Sequence, residues 1–148
     1  MTSMKRSILA AAAVLAAIPA FPASRGEEAG GFKVVVNRTN PVTSVTQNQL
    51  SGLFLKKMAW PSGQPVQPVD LAEDSPVRRT FTDTVHGRPV SAIKAYWQQK
   101  VFSGRDVQPP EESSDSAVIA FVRANPSAIG YVAEGMAVGD LKVLEVTP

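Results

Sequence analysis

The sequence predicts a single α/β layered domain, and three observations support this prediction. Short β-branched runs bounded by turn residues are typical of buried strands, and they occur at 32–36, 66–69, 129–132 and 142–146. Apolar residues at helical spacing lie between them, over 50–54, 77–85, 93–101 and 118–122. The 148 residues fit one domain. Strands separated by helices favour a layered α/β fold over a sandwich or a bundle.

Composition removes several classes of protein. With 44% hydrophobic residues the chain is too apolar to be disordered, and without cysteine it forms neither a disulfide scaffold nor a thiolate metal site. No apolar stretch reaches the ~18 residues of a membrane span. The motifs GxGxxG, GxxxxGK[ST] and HExxH are absent, which argues against the usual nucleotide-binding and zinc-protease classes.

The N-terminus has the layout of a secretory signal peptide over residues 1–23. Lys5 and Arg6 precede an apolar run at 8–18, followed by prolines and small residues. A buried N-terminal helix is the alternative, but the prolines and the polar switch at 24–28 argue against it. Cleavage after Ala20 and after Ala23 both remain open. We therefore expect a periplasmic protein with a flexible leader at 24–31 and one domain at 32–148.

Removing the signal peptide changes the charge balance. The whole chain has 15 basic and 13 acidic residues, and cleavage removes Lys5 and Arg6 but no acid. The mature chain is therefore close to neutral. A nucleic-acid partner is not expected, because such binders keep a basic excess. We also expect no membrane span after cleavage.

The first elements follow from local signals. Phe32–Val36 predicts a buried strand that ends in a loop at 37–41. Thr46 and Gln49 have the spacing of a capping box, ahead of a helical stripe formed by Leu50, Leu53 and Phe54. Lys56 and Lys57 are expected in the last turn of this helix. A turn at 60–63 then leads to a second strand at 66–69.

The middle of the chain predicts a helix that begins at Ser75. Ser75 is a candidate N-cap, and Pro76 stands at the first helical position, where the missing N–H has no consequence. Val77, Phe81 and Val85 lie four residues apart on the face expected to be buried. Gly87 is expected to end the helix as its C-cap.

The last elements are two helices and two strands. A helix is expected to begin at Ser91 with Ile93, Tyr96, Trp97 and Val101 facing inward. Ser113 or Ser114 caps a further helix that ends before Pro126. Its core residues are Val118, Ile119 and Val122. Strands at 129–132 and 142–146 close the domain.

No catalytic constellation stands out. His86 has no carboxylate at a recognisable spacing, so we expect it at a helix C-terminus, partly exposed, with its protonation mildly favoured by the dipole. No GxSxG turn presents a nucleophile. The adjacent acids at 73–74 and 111–112 precede helix starts, where they are ordinary. The sequence predicts no enzyme, no cofactor and no metal site.

The helix start at Ser75 is the one candidate binding site. A strand leads directly into this helix, whose first-turn N–H groups and hydroxyl would favour an anion. Arg78 or Arg79 could add charge by folding back toward the terminus. The alternative is a capped helix with two solvated arginines, beside the negative charges of Glu73 and Asp74. On these residues alone the alternative is the better supported.

An ordered set of residues across 33–133 resembles the PstS-like phosphate-binding proteins of periplasmic ABC transporters. The set comprises Val34-Val35-Val36-Asn37, Asn40-Pro41-Val42, Gln49-Leu50, Leu53-Phe54, Trp60, Gly63, Pro68-Val69-Asp70, Ser75, Arg78, Phe81, Trp97, Phe102-Ser103-Gly104, Pro109, Ser114 and the run from Asn125 to Val132. The resemblance implies one periplasmic-binding-protein-like lobe, a small mixed sheet flanked by helices, in the short single-lobe form of that family. Full-length members have two lobes and bind phosphate between them.

The phosphate-binding turn departs from the family pattern. That pattern is an Arg, three residues, then Ser-Gly-Thr, and the corresponding residues here are Leu71, Ser75, Pro76 and Val77. Losing the arginine removes a charge-assisted hydrogen bond, worth about 1.5–3 kcal/mol. The resemblance therefore implies weak binding of phosphate or a related oxyanion, linked to ABC-type phosphate uptake.

The site implied by the resemblance combines two segments. Ser75, the backbone amides of Val77 and Arg78 and the Arg78 guanidinium would hold the anion, with the loop from Asn40 through Thr43 to Ser44 alongside. An ABC permease or another envelope protein would be the partner. The alternative function is a non-enzymatic periplasmic interaction or sensory module that has lost its ligand, because three of the four contacts of the turn are missing.

Overall fold

The computed structural model describes residues 31–148. The predicted signal peptide and nearly all of the predicted leader lie outside these residues. The strands are β1 Phe32–Val36, β2 Ser44–Thr46, β3 Gln67–Pro68, β4 Asp70–Leu71, β5 Glu111–Glu112, β6 Ala128–Ala133 and β7 Lys142–Thr147. The helices are α1 Gln47–Phe54, α2 Pro76–Phe81, α3 Val90–Phe102 and α4 Asp115–Ala124, and a π-helical segment, Thr82–His86, extends α2.

Five strands form a mixed sheet in the order β2-β7-β1-β6-β3. The central strand β1 pairs antiparallel with both neighbours, Val36 lying opposite Ile129 of β6 and Lys142 of β7. The edge strands β2 and β3 each run parallel to their single partner. The short strands β4 and β5 form a separate parallel pair. The predicted α/β class is confirmed.

Aromatic rings fill the space between the sheet and the helices. Phe81 of α2 stacks on Tyr131 of β6 with ring centroids 3.8 Å apart, and Phe32 and Phe54 pack edge-on or tilted around them. These rings lie over the end of the sheet where β1 begins. The core holds α2 against β6, and this contact fixes the position of the helix start at Ser75.

The predicted caps are confirmed. Thr46 and Gln49 form the reciprocal capping box of α1. Ser75 caps α2 with Pro76 in the first turn, and Gly87 ends the π-helical segment with a left-handed φ of 63°. Ser114, rather than Ser113, caps α4 through a hydrogen bond accepted from the Ala117 N–H.

Several predicted boundaries and faces were wrong. Lys56 and Lys57 follow α1 instead of lying in its last turn, because the helix ends at Phe54. The strand expected at 66–69 is two short strands, β3 and β4, paired with different partners. Helix α3 begins at Val90, one residue earlier than expected. Val101 faces solvent rather than the core, because the last turn of α3 extends beyond the residues it packs on.

Within residues 31–148, no helix has the length and apolar character needed to cross a membrane.

Candidate functional site

Two helices begin at one edge of the β4–β5 pair. The strands run parallel, with Leu71 opposite Glu112, and the Ala72 N–H donates to the Glu112 carbonyl. Helix α2 starts shortly after β4 and α4 shortly after β5, so Ser75 and Ser114 lie at the same, carboxyl-terminal edge of the pair. This edge of a parallel sheet is where α/β proteins commonly bind ligands, because helix N-termini converge there.

The first turn of α2 offers few free donors. The Ser75 hydroxyl accepts a hydrogen bond from the Arg78 N–H at 3.2 Å, as an N-cap does. Pro76 has no N–H. Val77 is therefore the residue of this turn whose N–H the cap does not use, and the Ser75 hydroxyl keeps its own proton to donate. Val77 itself is half-buried against the core.

Arg78 folds back beneath the turn, but it meets acids there. Only 4% of the residue is exposed. Its Nη1 donates to the Leu71 carbonyl at 2.7 Å and lies 3.5 Å from a Glu111 carboxylate oxygen, and its Nε lies 3.7 Å from Asp70. The expectation of two solvated arginines was wrong for Arg78, whereas Arg79 is exposed and donates to the Asp74 carbonyl.

Tyr131 completes this buried polar cluster. Its hydroxyl donates to Asp70 at 2.9 Å and accepts a hydrogen bond from the Leu71 N–H at 3.2 Å. Burial raises the pKa of the Asp70 carboxyl, against the opposing effects of Arg78 and Tyr131. Burial alone would lower the pKa of Arg78, but the charge of Asp70, followed by Tyr131 and Glu111, raises it instead. The charge of the guanidinium is thus largely balanced within the protein.

A polar cavity of about 240 Å³ lies beside the cluster. Asp70, Arg78 and Glu111 line its inner side, and Trp97 lines the side formed by α3. At its mouth Glu73 and Lys94 form an ion pair of 3.2 Å between two exposed side chains. The cavity is large enough for a small ligand, but carboxylates outnumber free cations on its walls.

The loop from Asn40 to Ser44 does not join the Ser75 helix start. This loop follows the C-terminal end of β1, whereas α2 packs over the strand's N-terminal end through Phe81 and Phe32. Asn40 is buried, with its side chain accepting a hydrogen bond from the Val42 N–H. Thr43 and Ser44 lead into β2, at the sheet edge opposite β3. The structure therefore brings Ser75, Val77 and Arg78 together and leaves Asn40, Thr43 and Ser44 elsewhere.

His86 differs from the expectation of an exposed, readily protonated side chain. It is half-buried, and its Nδ1 lies 2.8 Å from the Ser51 hydroxyl. Burial, followed by the charges of Arg88, Arg78 and Lys57, lowers its pKa to about 4. The ring is therefore neutral at pH 7. Across residues 31–148 no group of three or more His, Asp or Glu side chains is arranged to hold a metal ion.

The sequence reasoning missed the roles of Asp70, Glu111, Tyr131 and Ser114 at this edge. Ser114 was a candidate cap in the sequence, but β5, the strand before it, was not predicted, so no signal placed the two helix starts at one edge. No local signal indicated that Asp70 and Tyr131 would meet, since 61 residues separate them.

Comparisons with known proteins were made by sequence and by structure. No family model matches the chain, and no curated protein matches it. Three solved structures that it resembles are a protein from Clostridium perfringens assigned as a phosphate ABC transporter substrate-binding protein and solved with bound phosphate, an ABC-type phosphate transport receptor from Vibrio cholerae, and PstS from Borrelia burgdorferi. Their TM-scores are 0.63, 0.61 and 0.55, at 19%, 23% and 18% identity.

These likenesses show the fold. The matches cover 78% of this chain in each case, but only 44%, 46% and 47% of the three structures. The chain thus spans less than half the length of the proteins it resembles. The predicted periplasmic-binding-protein-like lobe is confirmed as a fold, and the neighbours are substrate-binding and transport proteins rather than enzymes.

Proposed function

We propose that this chain is an exported solute-binding module that binds phosphate or a related oxyanion weakly and works with an ABC-type uptake system. The observation that carries the proposal is the joint start of α2 and α4 at one edge of the β4–β5 pair, in a fold shared with a protein solved with bound phosphate. Two helix N-termini directed at one edge supply N–H donors and positive dipole ends for an anion.

The proposed ligand contacts are the Ser75 hydroxyl, the Val77 backbone amide and the Arg78 guanidinium; the Arg78 backbone amide is not included, because it already donates to the Ser75 hydroxyl. Ser114 at the start of α4 joins them from the neighbouring strand. Asn40, Thr43 and Ser44 are not included, because they lie at other parts of the sheet. Residues 1–23 act in this proposal as the signal peptide that directs the protein to the periplasm, and an envelope permease is the partner.

Weak binding follows from the charges around Ser75. Asp70 and Glu111 share the positive charge of Arg78, and Glu73 and Asp74 precede the helix directly. An oxyanion must therefore approach several carboxylates and receives less than the full attraction of the arginine. Like charges within a few ångströms oppose binding, and the effect is only partly screened near the surface. We expect affinity in the millimolar range, about 4 kcal/mol of binding free energy.

Isothermal titration of the chain with phosphate and sulfate tests the proposal. Ser75→Ala removes a hydroxyl donor and is expected to weaken phosphate binding about tenfold. Because this variant also loses a helix cap, Thr46→Ala is the matched control. Thr46 caps α1 through the Gln49 N–H at 3.1 Å, away from the β4–β5 edge. Unchanged affinity in Ser75→Ala, or an equal loss in both variants, would remove this helix start from the site.

A second function has one observation in its favour. The internal balance of the Arg78 charge suits a lobe that has kept its fold and lost its ligand, serving as a periplasmic interaction or sensory module. This second function predicts that the folded protein shows no heat of binding when it is titrated with phosphate or sulfate at millimolar concentration. It also predicts recovery of a specific partner from envelope extract by the immobilised chain.

A further inference from the structure

The C-terminal end of α3 presents an unusual cluster of exposed apolar side chains. Phe102 is 96% exposed, Val107 65% and Val101 47%, and Met58 is exposed nearby in the segment after α1. Of the large hydrophobic side chains that are exposed within residues 31–148, four of six belong to this group. Phe102 is thus almost unpacked and forms the centre of an apolar tip, with Val101 next to it in the chain and Val107 in the turn that follows α3.

Cations gather along the same half of α3. Lys57 and Lys100 both lie over the ring of Tyr96, with their Nζ atoms 5.5 and 5.3 Å from its centroid. Lys56 lies over Trp97 and donates to the Val107 carbonyl at 2.9 Å, which joins the α1 end to the turn after α3. The Tyr96 ring attracts both ammonium groups, and the positive charge held on this part of α3 favours an anionic counterpart.

The chain segments that carry the patch contain few acidic residues, although Lys94 is paired with Glu73 from the segment between them. Residues 41–69 and 86–108 contain six basic side chains, Lys56, Lys57, Arg88, Lys94, Lys100 and Arg105, and a single acid, Asp106. Asp106 is already paired with Lys56 at 3.5 Å. The acidic residues of the described chain are concentrated in the segments that form the Ser75 edge and the last strands. The near-neutral total thus conceals a basic surface at the end of α3.

We propose that this basic–apolar patch, formed by Phe102, Val101, Val107 and Met58 with Lys57, Lys100 and Arg105, docks the protein onto an anionic lipid bilayer. Phe102 and its neighbouring valines enter the boundary between headgroups and acyl chains, while the cations contact lipid phosphates. Basic side chains flanking an apolar tip, with a tyrosine and a tryptophan behind it, are the elements of interfacial membrane binding.

The full exposure of Phe102 favours a bilayer over a protein partner. Binding anchors between proteins are side chains that fill a pocket within a closely packed rim. Here the phenylalanine is 96% exposed at the last residue of α3, so a deformable medium covers it more completely than a rigid surface does. Lys57 and Lys100 have flexible stems that suit mobile headgroups. The patch involves none of the groups proposed to bind the solute.

Vesicle flotation tests this inference on the chain from residue 24, which lacks the basic and apolar segment proposed as the signal peptide. The vesicles are phosphatidylcholine alone or equal parts of phosphatidylcholine and phosphatidylglycerol. We expect stronger partitioning to the anionic vesicles, falling as ionic strength rises. Phe102→Ser should weaken partitioning about tenfold, by loss of apolar burial. Lys100→Gln and Arg105→Gln should each weaken it about fivefold.

Matched controls lie outside the patch. Val143→Ser removes a valine of β7 that is as exposed as Val101, and Arg38→Gln removes an exposed cation near Asp140. Neither variant should change partitioning by more than about twofold. Ser75→Ala should also partition as the parent does, which separates this inference from the proposed solute site.

Three results would overturn the inference. One is partitioning that does not depend on phosphatidylglycerol. Another is equal partitioning of Phe102→Ser and the parent. The third is capture of a specific acidic protein through the patch with no vesicle binding, since the surface would then be a protein interface.

Discussion

Replacing Arg78 by methionine is expected to destabilise the fold by about 3 kcal/mol at pH 7. Methionine keeps much of the apolar stem of arginine, so the substitution chiefly removes the guanidinium. Asp70, only 8% exposed, then loses its one close cation, and the Leu71 carbonyl loses the 2.7 Å hydrogen bond from Nη1. Glu111 is more exposed and can turn to water, so its contribution to the loss is small.

The magnitude follows from the two groups that remain buried. Removing one partner of a buried ion pair typically destabilises a protein by about 3–5 kcal/mol, because the other charge is left uncompensated. The lower end applies here, because the Tyr131 hydroxyl still donates to Asp70. Against a total stability of about 5–15 kcal/mol, the variant should still fold.

The loss should also depend on pH. Arg78 lowers the Asp70 pKa against the larger effect of burial, so without the arginine the folded-state pKa rises further above the unfolded value. Folded Asp70 then keeps a proton that the unfolded chain has released. Stability is therefore highest below the unfolded pKa and decreases with rising pH up to the folded pKa, by about 1.4 kcal/mol per pH unit. Arg78→Met should be less destabilising at pH 5 than at pH 8.

Urea unfolding followed by circular dichroism at pH 5 and pH 8 measures both effects. Arg79→Met is the control, because Arg79 is exposed and donates only to the Asp74 carbonyl; it should shift stability by less than about 0.5 kcal/mol. The double variant Asp70→Asn with Arg78→Met lacks the titrating carboxyl, so its loss of stability should be nearly the same at pH 5 and pH 8. A loss under about 1 kcal/mol, or one that is equal at both pH values, would refute the structural role assigned to Arg78.

Two further substitutions test the packing and the buried histidine. Gly130→Ala should destabilise the protein by about 1–3 kcal/mol in thermal or urea unfolding, because an added Cβ would lie 2.7 Å from a Val118 methyl and 2.9 Å from a Val69 methyl; wild-type stability would contradict the close packing of α4 on β6. His86 has a folded pKa of about 4, below its ordinary value of 6.5, so its contribution to the free energy of unfolding is present above pH 6.5 and is lost as pH falls toward 4. The His86→Gln variant lacks this titration, so between pH 6.5 and 4 it should lose about 3 kcal/mol less stability than the parent. An equal loss in the variant and the parent would show that the ring is not buried in the neutral form.

Local chemistry made most of the fold predictable. The capping box of Thr46 and Gln49, the Ser75-Pro76 helix start and the left-handed Gly87 depend on residues a few positions apart, so their sequence signals were sufficient. The same reasoning missed β2 and β5. Each has only two or three residues, and whether so short a segment forms a strand is decided by a partner far along the chain, Glu145 for Ser44 and Asp70 for Glu111.

The candidate site was only half predictable. Ser75 was found because a cap has a local signature, and the neighbouring helix start at Ser114 was recognised only as a cap. Their shared edge depends on the parallel pairing of β4 with β5, which the sequence does not encode locally. The resemblance implied that the loop from Asn40 to Ser44 lies beside the site. In the structure this loop follows the C-terminal end of β1, whereas α2 packs over the N-terminal end of that strand.

By itself the sequence determined the α/β class, the helix caps and most of the buried apolar faces, because each is set by side chains within about one turn or one strand. Only the tertiary structure decided what surrounds each charge. It buried Arg78 between Asp70 and Glu111, it gathered Lys57 and Lys100 around Tyr96, and it left Phe102 exposed at the end of the same helix. The energy of a charge depends on its distance to other charges and to water, and chain folding sets both distances.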